Sequence, residues 1–178
     1  PAVSLLVSTG EPRPGQSEGF AAGLLEAMRE ALGATVGTVA HFPGGHAGGV
    51  LALGHGAQAI RDGRTQLALV GGVDSYLQPE TLEWLDDLEQ LHSEHNLYGF
   101  CPGEAAGFVL LARGDLARSL GVEPLLELAG VGRGNESNLI KTEDICLGEG
   151  LSDAFRAAAT AAPNAPPVNR ILCDMNGE

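Results

Sequence analysis

The sequence predicts an α/β fold, and three observations carry that reading. Short apolar runs alternate with longer segments of helical periodicity, in the order β-α-β-α-β through the first part of the chain. The 26 glycines and many alanines, against only 4% aromatics, suit helices and strands that approach one another through small side chains. With 178 residues and 44% hydrophobic content the chain can bury a real core, which excludes an extended disordered polymer.

The elements follow in order. Val3-Ser4-Leu5-Leu6-Val7 is an apolar strand, entered at once from Pro1. After the turn residues Glu11-Pro12-Arg13-Pro14-Gly15, apolar positions at Phe20, Leu24, Ala27, Met28 and Ala31 mark one face of a helix that stops at Gly33. The β-branched stretch from Thr35 to Val39 predicts a second strand. Gly44 to Gly49 then makes a sharp turn into Val50–Arg61, apolar or small on nearly every side, which predicts a buried helix ended by Asp62-Gly63. Leu67 to Val70 is a continuous apolar strand that closes on Gly71-Gly72.

Beyond it, Pro79 to Leu88 spaces Leu82, Leu85 and Leu88 as a helix does, and Ala105 to Ala112 predicts another buried strand. Leu125 to Val131 is read as a strand and Leu151 to Ala162 as a helix carrying Leu151, Ala154, Phe155 and Ala158 on one face. Val168 to Asp174 is read as a last strand, leading into Met175-Asn176-Gly177-Glu178. There is no internal repeat, and Ala157 to Pro167 reads as a helix end and loop rather than a linker. Opening inside one strand and ending at the mouth of another, the chain is expected to be the central segment of a longer domain.

Composition narrows the function. A net charge of -13 with ten scattered Lys and Arg excludes a nucleic-acid surface, and an acidic protein partner would need a local basic patch. Cys101, Cys146 and Cys173 have neither disulfide-framework density nor CxxC spacing, so buried reduced thiols in a cytoplasmic protein are expected, with no metal. No apolar run reaches the roughly 18 residues of a membrane span. Neither Gly44–Gly49 nor Gly130-Val131-Gly132-Arg133-Gly134 is followed by Lys-Ser/Thr or has GxGxxG spacing, so neither is a phosphate loop and no cofactor is expected. The acidic run Glu83 to Glu89 is a solvated helix face.

Three blocks, in order, resemble the β-ketoacyl synthases of the thiolase superfamily. Gly44 to Gly72, with Asp74 two positions on, resembles the family's nucleophile elbow, buried helix and following strand. Gly99-Phe100-Cys101-Pro102-Gly103-Glu104-Ala105-Ala106-Gly107 resembles the stretch preceding a core strand, and Cys173 to Gly177 sits where the family's strand runs into its first catalytic histidine. The resemblance spans nearly the whole chain. It implies a thiolase-like layered α-β-α-β-α fold, incomplete in this chain, with residues 1 to about 115 ending its first half and about 120 to 178 starting its second. It also implies acyl-CoA or acyl-carrier protein as partner, and a homodimer or heterodimer in which the strand around Val36 to Ala40 pairs across the two-fold axis.

At the site the pattern departs from the family. Matching Gly54, Ala57, Ile60, Gly63 and Gly71-Gly72 without gaps puts His46 at the acyl-accepting cysteine. Asn176 falls where ketosynthases have histidine and thiolases have asparagine, and Leu97-Tyr98 replaces the usual Arg-Asp before Gly-Phe. In the family the thiol sits at a helix N-terminus that lowers its pKa, beside backbone N–H groups that form an oxyanion hole. An imidazole there can act as a base, but its acyl adduct would be lost to water. The resemblance thus implies that His46 and Asn176 are the catalytic-site residues, with Phe100 in an acyl pocket shared with both. His46 equally suits a filler of a lost active site, Asn176 a turn residue, and His55 a satisfied core histidine. Three functions remain open: an acyl-thioester-handling ketosynthase-like protein, a non-catalytic partner comparable to chain-length factors, or a hydrolase or acyltransferase with His46 as base.

Overall fold

The computed structural model describes residues 2–138 and 144–173. Its strands are β1 (Val3–Thr9), β2 (Val36–Phe42), β3 (Leu67–Ser75) and β4 (Glu104–Ala112), forming one sheet in the order β2-β1-β3-β4. Its helices are α1 (Phe20–Leu32), α2 (Gly45–Arg61), α3 (Pro79–Asp87), α4 (Gly114–Ser119) and α5 (Glu149–Ala161), with a 3-10 turn over Gly33–Thr35. β1 runs parallel to both neighbours, in register Leu5↔Val39 and Leu5↔Leu69, whereas β4 is antiparallel to β3. The crossovers from β1 to β2 and from β2 to β3 travel in opposite directions, so right-handed connections put α1 and α2 on opposite faces.

The core lies between the sheet and α2. Leu6, Ala52, Ile60, Ala68 and Val70 are buried together, with Ala40, Phe42, Leu53 and Leu111 packed around them. Gly48, Ala52, Gly56 and Ala59 recur at three- and four-residue steps, which lays one small-residue stripe of α2 against the strands. β1 is buried from Ser4 to Thr9, as expected of a central strand covered on both faces. Each fully buried Leu or Val there contributes about 1.5–3 kcal/mol.

Several elements differ from the sequence reading. α2 begins at Gly45, so the glycine run is part of the helix and not a turn before it. β4 occupies a sheet edge, leaving Val109 and Leu110 51% and 59% exposed where a buried strand was expected. Leu125 to Val131 is not a strand, because it lacks a ladder partner among the described residues; Leu125 and Leu126 are 97% and 92% exposed. Residues 168–173 likewise form no strand, and the remainder of that expected element lies outside the described residues. Cys101 and Cys173 are exposed and Cys146 half-buried, because none of them lies in a strand or helix that packs on the core.

The segment after residue 129 packs on a helix instead of a strand. A side-chain carbon at Gly130 would stand 3.0 Å from the Ala158 carbonyl O, one at Gly132 would collide with the Ala154 carbonyl, and one at Gly134 with that of Gly150. Every second residue of an extended segment thus meets every fourth residue of α5, running antiparallel to it. The spacing works because two extended residues rise about 6.6 Å and four helical residues about 6 Å. Glu136 closes the contact, its carboxylate accepting the Gly150 N–H at 3.1 Å in the first turn of α5. On its other side the segment reaches α2, where a carbon at Gly54 would lie 3.2 Å from Val131 Cγ1.

Candidate functional site

The parallel strands β1, β2 and β3 all deliver their C-terminal ends to one edge of the sheet, the edge where open α/β folds bind ligands. Ser8 to Gly10, His41-Phe42 and Val73 to Tyr76 gather there, and α2 rises from the Phe42-Pro43-Gly44 turn. Gly45 takes φ 51°, a left-handed conformation that glycine adopts without strain, and this sends the chain directly into the helix. One helical step on, Gly48 presses against the sheet. A side-chain carbon on it would overlap Ser8 Oγ and stand 2.9 Å from the Phe42 carbonyl O.

His46 is therefore the second residue of α2, in its first turn and at the positive end of the helix dipole. It lies about 200° around the helix from Gly48 at 100° per residue, so it leaves the helix on the side away from the sheet and is exposed. Neither His46 nor Phe100 lines either of two cavities elsewhere on the molecule. A cavity of about 390 Å³ opens at the opposite strand ends, around Ser4, Gly37 and Arg64, and another of about 720 Å³ between Glu127 and residues 161–170. Asn176 lies outside the described residues.

Phe100 is half-buried on the same sheet edge. Its N–H donates to the Gln90 carbonyl at 2.9 Å and its own carbonyl accepts from the His92 N–H at 3.0 Å. Gly99 allows this approach, since any side chain there would collide with the backbone of Leu91 and His92. The Phe100 ring meets the Tyr76 ring edge to face, with centroids 5.6 Å apart. His55 is exposed and packs edge-on against Phe42 at 5.5 Å, so it is not the core histidine expected: it points past the sheet stripe of α2.

Sequence reasoning missed the groups that join these pieces. Arg13 donates to both carboxylate oxygens of Asp74 and, at 2.7 Å, to the Ser75 carbonyl, while its guanidinium carbon stands 3.9 Å from the centroid of the Tyr76 ring. The Arg13 side chain is only 6% exposed. On the other side of the same loop, Glu11 Cγ would be 3.4 Å from a side-chain carbon at Gly45. The β1–α1 connection thus approaches the start of α2 with Glu11 and holds the end of β3 and Tyr76 with Arg13. The buried Thr9 hydroxyl and His41 Nε2 form a 2.8 Å hydrogen bond across β1 and β2.

The strongest carboxyl shifts are elsewhere. Asp115 is held down to about 2 by its hydrogen bonds from Arg113, and Asp62, at the far end of α2, is lowered by hydrogen bonds from Gln58 and Arg64. Among the described residues no helix is long and apolar enough to cross a membrane.

The family described as "Beta-ketoacyl synthase, N-terminal domain" matches residues 16–117, more than half of the chain. Two 6-methylsalicylic acid synthases are similar in sequence. That of Penicillium terrestre is 35% identical over 91 residues, covering 47% of this chain and 5% of that protein. That of Aspergillus niger is 30% identical over 132 residues, covering 70% and 7%. Among solved structures, a mutant of the ketosynthase from module 6 of the bacillaene synthase of Bacillus subtilis 168 aligns with a TM-score of 0.69 at 17% identity, over 90% of this chain and 30% of that one. A type II polyketide synthase acyl-carrier protein in complex with its ketosynthase bound to the hexaketide, AntDE:AntF, aligns with a TM-score of 0.68 at 22% identity, over 83% and 38%. The chain therefore spans a small part of these relatives and about a third of each structural neighbour, and the fold is thiolase-like. With its glycine elbow, its small-residue core helix and its Gly-Phe arm before β4, this chain belongs to the β-ketoacyl synthase family.

Proposed function

We propose that the protein of which this chain is part binds acyl thioesters, delivered as acyl-CoA or on an acyl-carrier protein, in cytoplasmic polyketide or fatty-acid metabolism. In this reading it forms no durable acyl-enzyme. The observation that supports it is the place of His46 in the first turn of α2, where Gly48 lies close against Ser8; we read this as the family's cysteine position. His46 and Asn176 are the reactive-site pair, Phe100 lines the acyl channel, and residues 1 to about 115 and about 120 to 178 belong to the two halves of one domain. The AntDE:AntF complex supports a carrier protein as partner.

The test is incubation of the full-length protein with octanoyl-CoA, followed by intact-mass and peptide mass spectrometry beside equilibrium binding. Saturable binding without an adduct on residue 46 is expected. A stable octanoyl group on Cys101, Cys146 or Cys173, or no binding at all, would sink the proposal. A second reading, a non-catalytic partner of a cysteine-bearing ketosynthase, is favoured by β2, which among the described residues has a sheet neighbour on one side only and so offers an edge that a second subunit, its own copy or a heterodimer partner, could pair with. Co-purification with such a partner, with no acyl-CoA binding by the isolated protein, would select it.

A further inference from the structure

We propose that Arg13 is a positioning residue for Phe100, acting through Tyr76, and that it thereby sets which acyl chain lengths the protein accepts. The inference rests on the reading of Phe100 as an acyl-channel residue. Arg13 has an unusual setting for a cation in so acidic a chain: 6% exposed, forked onto Asp74, bonded to the Ser75 carbonyl and lying over the Tyr76 ring. Such a guanidinium is held in one orientation by its planar fork, which a flexible ammonium would not reproduce.

Its contacts converge on the chain just after β3. Ser75 and Tyr76 are fixed from one side by Arg13 and from the other by the Phe100 arm, where the Tyr76 N–H donates to the Gly103 carbonyl at 3.0 Å. The Tyr76 ring therefore has a cation on its face and Phe100 against it at 79°. Phe100 has its backbone anchored at Gln90 and His92, but its ring direction depends on the aromatic partner. Arg13 fixes Tyr76, and Tyr76 fixes the Phe100 ring. Thr81 ties the loop down further, its hydroxyl donating to the Pro14 carbonyl at 2.5 Å.

The experiment measures dissociation constants of butyryl-CoA and octanoyl-CoA for the full-length protein and takes their ratio, a selectivity that general loss of stability does not move. Arg13→Lys keeps the charge and loses the fork and the stack; Tyr76→Leu leaves the Arg13–Asp74 pair in place and removes the ring, so it carries the test if Arg13→Lys fails to fold. Both are expected to change the ratio about fivefold, and Tyr76→Phe, which keeps both ring contacts, to bring it back toward wild type. Phe100→Ala separates the two ideas. If it alters the ratio while Arg13→Lys and Tyr76→Leu do not, the positioning role is wrong. If it too leaves the ratio unchanged, or the wild type binds neither thioester, the acyl-channel reading is wrong and the positioning role falls with it.

Discussion

His46→Cys tests the proposed correspondence of His46 with the family's nucleophile position. The new thiol would stand in the first turn of a 17-residue helix, at an exposed position. A helix N-terminus stabilises an exposed anion by about 0.3–1 kcal/mol, and one pKa unit is about 1.36 kcal/mol, so a free-thiol value of about 8.5 should fall by roughly 0.2–0.7. At pH 7 the thiolate fraction would rise from about 3% to roughly 5–14%. Because nucleophilicity falls with basicity, the alkylation rate would gain only about 1.3- to 2-fold, so the rate at one pH is a poor measure.

The pH profile of iodoacetamide alkylation, followed peptide by peptide, is the better assay. Cys101 and Cys173 are exposed and react in the same sample as internal references. The introduced thiol should titrate a few tenths of a unit below a free thiol. A drop of more than one unit would mean that the site is more enclosed in the full-length protein. A value at or above 8.5 would refute the reasoning: the helix start would not be presented as described, and the partner-protein reading would gain.

Two further outcomes follow from the geometry. Gly48→Ala forces a carbon against Ser8 Oγ and the Phe42 carbonyl and should destabilise by about 1–3 kcal/mol, whereas Gly49→Ala, with nothing within 4 Å, should be neutral or stabilising by up to about 1 kcal/mol; urea unfolding of the pair checks this, and equal effects would refute the packing. The Asp115 carboxyl should titrate near 2 by NMR and return toward 3.8 in Arg113→Met. Its folded pKa is depressed, so its small contribution to stability is complete above 3.8 and lost as pH falls towards 2.

What the sequence could reveal depended on how local the cause was. β1 was legible because burial on both faces leaves an unbroken apolar run, whereas α2, whose small and apolar residues read as buried all round, is buried only along Gly48, Ala52, Gly56, Ala59 and Ile60, with Val50 and Leu51 exposed. The same logic misjudged β4, since Phe108 to Leu111 read as buried while, among the described residues, β4 pairs with β3 on one side only. Leu125 to Val131 has strand-forming residues, but a strand needs a partner, and pairing is not encoded in its own seven positions. At the site, gapless spacing from Gly54 to Gly72 singled out His46 as a candidate, and the structure puts that residue in the first turn of α2. Arg13 and Asp74 are 61 residues apart and share no motif. The available clue was a single arginine between two prolines in a chain short of cations.

The glycines at 130, 132 and 134 have a consequence for how far such a contact can extend. An extended chain and a helix form two rulers with nearly equal divisions, about 6.6 and 6 Å, so each turn adds roughly 0.6 Å of mismatch. Two intervals accumulate about 1.2 Å, still within what carbonyls and Cα atoms tolerate; a third would step past Glu149, where α5 begins. The alternation stops there because α5 has no earlier turn, and Glu136 closes the contact by accepting the Gly150 N–H. The length of the match is thus bounded by the first residue of α5, Glu149, and inserting one residue between 130 and 134 would turn side chains toward α5 at every later tooth.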